Sequence, residues 1–584
     1  MAFKLVLTIP LLLFISCDFI YSQSELEGIK LEGKVENKFS KEALSFAYIY
    51  NNRSGVGTAS NSEGYFNLPK NLLGDTIIVS YLGYDDAIII ASRNSKLTVQ
   101  LTPISTELNE IVVEAKSNYL YDIISRLNKK INSSSRDSKT YYLLESQISE
   151  TPIEIIEAYY NGHYNNYGLT ELNLKKGRIG VKSKNNHYFV STESSQVFIM
   201  HDIFSKNVHF PDNPLCLNKK ELKNQYKLQL EYNYKKDGSE VYVISFEPKT
   251  STSTLFRGVM HVDISSYKVL KIKLNVKNTQ NHPFVTIKKH NNTILYVDMD
   301  IEKTFKIIDN ELFIDDINFD YKIIFQGKNN NLENVSTTAY IKAYDYNRRF
   351  VLPYFEYSTQ YYGYADYRDI NATPYDSCFW DEISEFRRYD QTEKIDSFMN
   401  SSYHFNEKIN QVNNNIILGS LEYPYILWDE KRISISESDL IEIEKSKRIN
   451  PFEIDRLNLN IKLYFDTHYF NDSLHFEVYA IIDPVDSYYL FHISDSDLAL
   501  INMYFDLMQI QKLQLSEQLI KLKNPDMKTM QALYENHIQE FKIKSQSLIK
   551  ETSRGRNVVA MKKWNSHIND YLGIDNLRIF NLEN

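Results

Sequence analysis

The sequence has 584 residues, a formal net charge of −9 and 24% charged residues. The acidic balance argues against a general nucleic-acid-binding role, and the length is sufficient for about four domains. Its 44 tyrosines and 31 phenylalanines favour a strand-rich protein, because aromatic rings pack well on pleated surfaces.

The first residues have the layout of an export signal. Lys4 precedes a short apolar run from Leu5 to Ile15, and the small residue Ser22 follows. This layout predicts a signal peptide over residues 1–22 that is cleaved after Ser22. One alternative is an uncleaved membrane anchor, but the apolar run is short and broken by Pro10, Ser16 and Asp18. The other is a lipid-modified mature chain that starts at Cys17. The cleaved and the lipid-modified forms both place the protein in the periplasm or at the outer membrane.

Cysteine usage adds little to this interpretation. After cleavage only Cys216 and Cys378 remain, and they form no C-x-x-C pair. A disulfide between them is compatible with an oxidising compartment, but the sequence leaves their pairing open.

Short strands separated by turn residues begin at residue 31. Asn61 to Gly64 supplies the backbone freedom of a tight turn, and Phe66 and Leu68 share one face of the following strand. Gly64→Val is expected to destabilise this region if Gly64 has a positive φ. Strands at this spacing predict a small sandwich or barrel. The predicted strands are Leu31–Val35, Ala47–Tyr50, Tyr65–Leu68, Thr76–Tyr81, Lys96–Leu101 and Ile111–Val113.

The same region contains a set of recurring residues. They are Gly33-Lys34-Val35, Gly57-Thr58, Asn61, Gly64, Phe66, Ser80-Tyr81-Leu82-Gly83-Tyr84 and Leu108-Asn109-Glu110-Ile111-Val112-Val113. Together they resemble the carboxypeptidase-regulatory-like domain, a transthyretin-like β-sandwich, over residues 29–115. Asn61 stands where that family usually has Asp, and Asn serves the turn equally well. The resemblance implies a non-catalytic module, which accompanies an enzyme in metallocarboxypeptidases and precedes the receptor in TonB-dependent receptors. Neither companion is evident here, and the whole chain resembles Gram-negative envelope proteins that begin with this module.

A connecting helix and a β-hairpin are predicted next. Apolar residues at helical spacing in Tyr119–Ile131 predict a helix within residues 116–136. Tyr226–Tyr234 and Glu240–Phe246 flank an Asp237-Gly238 turn, which is a strong hairpin signal. The first of these strands is expected to present one face made of Tyr226, Leu228, Leu230, Tyr232 and Tyr234.

One-sided alternation recurs along this strand-rich region. Leu270 to Val276 alternates with Lys and Asn, and Phe313 to Phe325 repeats the pattern. Such alternation predicts an antiparallel β domain over residues 137–348 with one polar face and one covered face. Either helices or a bound apolar ligand must cover the apolar face.

Residues 349–400 are interpreted as a connector that packs on its neighbours. The alternative is an aromatic clamp built from Tyr367-Arg368-Asp369-Ile370, Pro374-Tyr375 and Phe379-Trp380.

Residues 401–584 are predicted to form an α+β domain that ends in a helical hairpin. Leu498–Lys523 and Met530–Ile549 carry apolar stripes. Asn524 is expected to cap the second helix, with Pro525 in its first turn. The preceding strands are Leu457–Phe465 and Leu474–Ile482.

A search for catalytic zinc finds one weak candidate. His537 and Glu540 form an H-x-x-E pair, and His567 is the sole later histidine. A catalytic zinc normally needs three protein ligands, and His537 also falls on the apolar stripe of its helix. We therefore predict that His537 is structural, and that it meets Glu540 one turn further on.

A strand with three acidic residues is a candidate calcium site. Asp298, Asp300 and Glu302 share one strand face, and calcium favours carboxylate oxygens. The alternative, which we favour, is a solvated strand face.

The remaining candidates have structural explanations. His492, Asp495 and Asp497 precede the long helix, and an N-cap at Ser494 or Asp495 accounts for them. The nucleophile elbow, the phosphate loop and the dinucleotide fingerprint are all missing from the sequence. We therefore assign no catalytic, metal or cofactor-binding residue, and a site assembled from distant residues is left open.

Basic residues surround the C-terminal helices. They could contact anionic lipid or an acidic partner, and the alternative is a solvated charged face. The set is Lys521, Lys523, Lys542, Lys544, Lys550, Arg554, Arg556, Lys562 and Lys563.

These observations predict an exported, mainly β, multidomain envelope protein with an α+β C-terminal part. Its expected function is non-catalytic binding or scaffolding, with an envelope protein or lipid as partner and peripheral membrane association. One alternative is a lipid or lipoprotein carrier that uses the large β domain. The other is a hydrolase with a cryptic site.

Overall fold

The fold is taken from a computed structural model of the chain. The structure describes residues 31–51, 57–60, 63–68, 74–90, 97–104, 118–127, 134–182, 195–236, 238–284, 293–326, 332–346, 348–358, 366–382, 389–400, 423–430, 432, 441–442, 457–470, 473–489, 493–522 and 525–582. The chain divides into two compact units, Met1–Pro103 with Asp376–Thr392, and Ile104–Tyr375 with Glu393–Asn584. The expected cleavage after Ser22 and the alternative start at Cys17 lie outside the described residues.

Two small sheets make up the first unit. One has the strand order β4-β1-β7 and the other the order β3-β2-β5-β6. Val35 and Phe66 from the first sheet pack in one core with Ile49 and Val79 from the second, so the two sheets form the predicted sandwich. The strands are β1 Leu31–Asn37, β2 Tyr48–Asn51, β3 Gly57–Ala59, β4 Tyr65–Leu68, β5 Thr76–Ser80, β6 Ala87–Ile90 and β7 Leu97–Leu101.

The turn before β4 requires a glycine. Gly64 has a φ of +83°, and a Cβ on this residue would lie 2.5 Å from the backbone oxygen of Val35. A β-branched side chain at this position is therefore excluded for two reasons: the positive φ would strain its backbone, and its Cβ would overlap the Val35 oxygen. Strand β6 was not predicted, and the predicted strand Ile111–Val113 lies outside the described residues.

A ten-stranded antiparallel sheet dominates the second unit. Its strand order is β10-β9-β8-β17-β16-β15-β14-β13-β12-β11, so nearly every strand pairs with its sequence neighbour. It confirms the predicted mainly antiparallel β region. Helix α1 (Tyr119–Leu127) precedes the sheet, within the predicted connecting helix. The strands are β8 Ser135–Ile148, β9 Thr151–Asn165, β10 Gly168–Val181, β11 Tyr226–Lys236, β12 Ser239–Pro248, β13 Arg257–Asp263, β14 Lys268–Thr279, β15 Thr293–Ile308, β16 Glu311–Gln326 and β17 Leu332–Tyr344.

A β-bulge corrects the predicted face of β11. The hairpin of β11 and β12 is confirmed, but its register shifts between Leu230 and Tyr232. An extra residue reverses the side-chain alternation beyond it, because side chains on a strand alternate with a period of two. Leu230 pairs with Ile244, whereas Tyr232 pairs with Val243 on the opposite face, and Tyr232 is 40% exposed.

The chain itself covers the apolar face of the large sheet. The Phe198 ring of α2 lies 6.0 Å from the Tyr142 ring and 6.1 Å from the Phe319 ring, measured between centroids. Ile203 and Leu215 are also fully buried. Of the two predicted covers, the structure therefore supplies protein rather than requiring a ligand. The covering elements are α2 Gln196–Met200, a 3₁₀ turn at Pro214–Cys216 and α3 Lys219–Gln225.

Three helices lie in the predicted connector, α4 Asp366–Ala372, α5 Ser377–Glu382 and α6 Tyr389–Asn400. Helix α4 packs closely on β10, because a Cβ on Gly177 would lie 2.4 Å from the Ile370 side chain. The interpretation of residues 349–400 as a connector stays a prediction. Neither Cys216 nor Cys378, both among the described residues, forms a disulfide bond.

A hairpin backed by helices forms the C-terminal region. Leu463 and Phe465 of β21 and Val478 of β22 pack against Phe505 and Leu515 of the long helix α7 in one apolar core. Within the described residues, none of the helices is long and apolar enough to cross a membrane. The elements are β18 Ile426–Leu427, β19 Ile441–Glu442, β20 Leu457–Asn458, β21 Ile461–Phe470, β22 Ser473–Ile482, β23 Tyr488–Tyr489, α7 Asp495–Lys521, α8 Met527–Glu551, α9 Val558–Leu572 and α10 Asn576–Ile579.

The N-terminal caps of α7 and α8 confirm one predicted cap and correct the other. Ser494 caps α7 and its side chain accepts a hydrogen bond from the backbone N–H of Asp497, as expected. The cap of α8 is Asp526, whose side chain accepts from the Thr529 N–H, rather than Asn524. Pro525 therefore precedes the cap instead of lying in the first turn. Helices α9 and α10 extend the predicted hairpin.

A buried ionic cluster joins the C-terminal hairpin to the large sheet. A bulge in β10 lets the consecutive Lys175 and Lys176 both reach Asp466 of β21. The ammonium nitrogen Nζ of Lys176 lies 3.0 Å from Oδ2 of Asp466 and 2.9 Å from Oε2 of Glu477. Burial alone would raise the pKa of Asp466, yet the two ammonium groups hold it below its ordinary value. We call these four residues the ionic joint.

Candidate binding site

The polar face of the large sheet carries two rows of aligned side chains. Directly paired residues on neighbouring strands point to the same face. The first row runs across five strands as Glu145, Thr338, Asp320, Asp300 and Asn275. The second row runs beside it as Gln147, Ser336, Lys322 and Asp298. The rows collect acidic residues from strands that are far apart in sequence.

These rows line a groove with a volume of about 320 Å³. Its charged lining comprises four carboxylates, Glu145, Asp298, Asp300 and Asp320, and one ammonium group, Lys322. We call this feature the acidic groove. Because its carboxylates outnumber its ammonium groups, its electrostatic preference is for a cation.

Hydrogen bonds fix the two groove carboxylates on β15. Oδ2 of Asp300 accepts from Nδ2 of Asn275 at 3.2 Å, and its Oδ1 lies 3.8 Å from Nζ of Lys273. Oδ1 of Asp298 accepts from the backbone N–H of Asn278 at 2.8 Å. These contacts orient the carboxylates along β15 without covering the groove.

The pKa of Asp320 is raised in this groove, although the residue is partly exposed to solvent. Burial raises its pKa, the Thr338 hydroxyl opposes that rise, and the nearby Asp300 carboxylate adds to it. A raised pKa means that the negative charge on Asp320 is costly in the unliganded protein. A bound cation would lower that cost and draw the carboxyl group toward its ionised form.

The structure confirms the shared face of the predicted acidic strand but divides its members. Asp298 and Asp300 line the groove, whereas Oε1 of Glu302 lies 2.7 Å from Nζ of Lys271. Across the described part of the chain, no group of three or more metal-ligating side chains is arranged to hold an ion. The described residues therefore do not provide a coordination shell for the calcium alternative.

Sequence reasoning missed Glu145 and Asp320. Alternation along β16 separates Asn318, Asp320 and Lys322 from the apolar Phe319 and Tyr321, so the polar face was readable. What the sequence does not reveal is that β8 and β15 flank the β16–β17 pair, which is what brings the carboxylates together.

His537 lies in the helical core, away from this groove. It is 1% exposed, and its Nδ1 lies 2.9 Å from Oε1 of Gln511 on α7. Burial lowers the pKa of its imidazole. The expected contact with Glu540 is replaced by this one, and Oε2 of Glu540 instead lies 3.3 Å from Nζ of Lys544. The described contacts thus give His537 a packing role.

Comparison with known proteins identifies the small sandwich. The chain is mainly β, with two small N-terminal sheets, a large antiparallel sheet and C-terminal helices. Residues 31–113 match the model of the CarboxypepD_reg-like domain, and they form such a domain. This match confirms the resemblance inferred from the sequence. No curated protein matches the chain.

Solved structures resemble parts of the chain only distantly. A LolA superfamily protein from Nitrosomonas europaea has 12% identity, covering 40% of this chain and 95% of its own, with a TM-score of 0.15. The MucA/MucB complex of Pseudomonas aeruginosa has 10% identity, with 38% and 93% coverage and a TM-score of 0.15. Scores this low do not establish a shared fold, so the function must be inferred from the site itself.

Proposed function

We propose that this chain is a non-catalytic binding protein of the cell envelope, and that its acidic groove binds a cationic group. The groove is open along the polar face and its volume of about 320 Å³ is at the lower end of the usual range for ligand sites. The carboxylate excess is the observation that carries the proposal, since four carboxylates against one ammonium group at a concave surface favour a cation.

A basic peptide segment of an envelope partner is the occupant that this site fits best. Lys322 is paired across the strands with Asp298, and one or two further cations would balance the remaining carboxylates of the groove. The aligned rows extend over five strands, which matches an extended segment better than a single ion.

The lipid-carrier alternative receives less support from the packing. An acyl chain would have to occupy the apolar face of the large sheet, where Phe198, Ile203 and Leu215 are already buried. The proposal includes no catalytic step. The envelope location rests on the export signal predicted for residues 1–22.

Binding of short peptides to the whole exported protein tests this proposal. Isothermal titration at low salt should detect Gly-Lys-Gly-Lys-Gly and Gly-Arg-Gly-Arg-Gly but not Gly-Glu-Gly-Glu-Gly. The affinity for the basic peptides should fall as ionic strength rises, because exposed charges are screened within about 10 Å at 0.1 M salt.

Two paired variants separate the groove from general charge effects. Asp298→Asn with Asp300→Asn should weaken basic-peptide binding about tenfold or more, because each lost ion pair contributes about 1 kcal/mol. The control is Glu231→Gln with Glu247→Gln, which removes the same charge from exposed positions on β11 and β12. Equal weakening by both pairs, or undetectable binding of either basic peptide, would refute the proposal.

A further inference from the structure

The turn between α8 and α9 combines a fixed backbone with exposed apolar tips. Ser553, Arg554 and Gly555 have φ values of 49°, 58° and 86°, so three consecutive residues are left-handed. The Ser496 hydroxyl donates to the Gly555 carbonyl oxygen at 2.9 Å, which ties the turn to the start of α7. This hydrogen bond therefore fixes the position of the turn relative to α7.

Two solvent-exposed valines follow this turn at the start of α9. Val558 is 52% exposed and Val559 is 80% exposed, at the first two positions of α9. The core of the same helix is made by Met561 and Ile568, so the two valines contribute little to folding. A single exposed valine is ordinary, whereas two adjacent exposed valines at a helix start form a small apolar patch, which we call the valine tip.

Basic side chains surround the valine tip. Lys562 follows Val558 by four residues and Lys563 follows Val559 by four, so each lysine lies beside a valine on the helix surface. Arg554 and Arg556 add exposed cations from the turn. We call Arg554, Arg556, Val558, Val559, Lys562 and Lys563 the basic corner.

Acidic neighbours offset only part of this charge. Oε2 of Glu551 lies 3.4 Å from Nζ of Lys563 and accepts a hydrogen bond from Trp564 Nε1. Asp495 and Asp497 lie at the start of α7, near Ser496. Among the described residues, neither Arg556 nor Lys562 forms an ion pair, so positive charge is left over at the tip.

We propose that the basic corner docks on an anionic phospholipid surface. The valines would enter the headgroup–acyl boundary, and the four cations would contact the lipid phosphates. The overall charge of −9 does not oppose this, because charges beyond about 10 Å are screened at 0.1 M salt. A lipid surface suits the corner better than a protein pocket does, since a protruding apolar tip needs no complementary cavity in a fluid bilayer. This inference is independent of the acidic groove and goes beyond the proposed function.

Flotation of the whole exported protein with vesicles tests the docking. Vesicles of 30% phosphatidylglycerol and 70% phosphatidylcholine should carry the protein, and pure phosphatidylcholine vesicles should not. Arg556→Gln with Lys562→Gln should weaken binding about 30-fold, because a basic residue near an anionic surface contributes about 1 kcal/mol. Val558→Ser with Val559→Ser should weaken it about tenfold.

Matched controls keep this test specific. Lys227→Gln with Lys235→Gln removes two exposed charges from β11, and Val208→Ser alters a valine that is 84% exposed elsewhere. Both should bind vesicles as the wild type does, and circular dichroism should show all variants folded. Failure to float with anionic vesicles, or equal losses in the controls and in the corner variants, would overturn the proposal. Binding to soluble polyglutamate without vesicle binding would overturn it in favour of an acidic protein partner.

Discussion

A buried lysine pair and a single buried lysine on the large sheet differ in how their charge is compensated. Lys175 and Lys176, in the ionic joint, both contact Asp466, and Lys176 also contacts Glu477. Lys303 lies on the opposite, apolar face, paired across the strands with Ile272 and Ile317. Its Nζ donates to the backbone oxygen of His201 at 2.5 Å, and within the described residues it forms no ion pair.

The difference shows that burial alone does not define the role of a charged residue. The ionic joint has charges of both signs and fastens the C-terminal hairpin to β10. Lys303 has a backbone carbonyl in place of a carboxylate, and burial lowers its pKa to about 8, while Asp202 acts in the opposite direction. One set therefore stabilises an interface, and the other imposes a cost on the core.

Asp466→Asn should have the largest effect. The variant keeps the shape of the side chain but leaves Lys175 and Lys176 with one carboxylate between them, so unfolding free energy should fall by about 3–5 kcal/mol. Urea denaturation at pH 7 would measure this loss.

The matched control is Asp309→Asn. Asp309 pairs with Arg136 while being 75% exposed, so its loss should cost less than about 1 kcal/mol. Equal effects of the two substitutions would contradict the distinction between the ionic joint and an ordinary surface ion pair.

Lys303→Met should act in the opposite direction, as a stabilising substitution at pH 7. The difference between a pKa of about 8 in the folded chain and 10.5 in the unfolded chain corresponds to about 3 kcal/mol. Loss of the hydrogen bond to the His201 carbonyl reduces the expected net gain to about 2 kcal/mol.

The pH dependence provides an independent measurement on Lys303. Because the folded chain holds this proton less tightly than the unfolded chain, wild-type stability should rise as the pH increases from about 8 to 10.5. That rise should shrink in Lys303→Met. It should persist in Lys306→Met, a control on the same strand with an exposed side chain. An unchanged pH profile in Lys303→Met would mean that Lys303 is not a source of the cost.

The sequence revealed the strands better than it revealed what they bring together. Alternation predicted the β11–β12 hairpin and the polar face of β14, because a period of two is visible in the residues themselves. Bulges were not predictable, and two of them have clear consequences. The bulge at Lys175 creates the ionic joint, and the bulge after Leu230 moves Tyr232 to the other face.

The candidate sites were predictable only in part. Asp298 and Asp300 were identified on one strand face, but Glu145 joins them through pairings between strands that are distant in sequence. The basic residues near Lys562 were also identified, whereas the exposure of Val559 depends on where α9 begins. Composition and periodicity describe one strand or helix at a time. The acidic groove and the basic corner each combine residues from several elements, so neither was fully predictable.

His537 supplies a neutral counterpart to the buried lysines, with the smallest expected effect. Its Nδ1–H donates to Oε1 of Gln511, which is itself fully buried. His537→Leu should keep the fold but lower the unfolding free energy by about 1–2 kcal/mol, because the Gln511 oxygen loses its donor.

A double variant and a change of pH make the test of His537 decisive. Adding Gln511→Leu to His537→Leu should restore most of the loss, since replacing both members of a buried polar pair by apolar groups is nearly neutral. Burial lowers the pKa of His537, so wild-type stability should decline as the pH falls below 6.5. His537→Leu should reduce that decline, to which the buried His201 and His261 also contribute. Metal analysis of the wild type should find no stoichiometric zinc. One zinc per chain that disappears in His537→Leu would instead assign this histidine to a metal site, and the hydrolase alternative would then become the leading one.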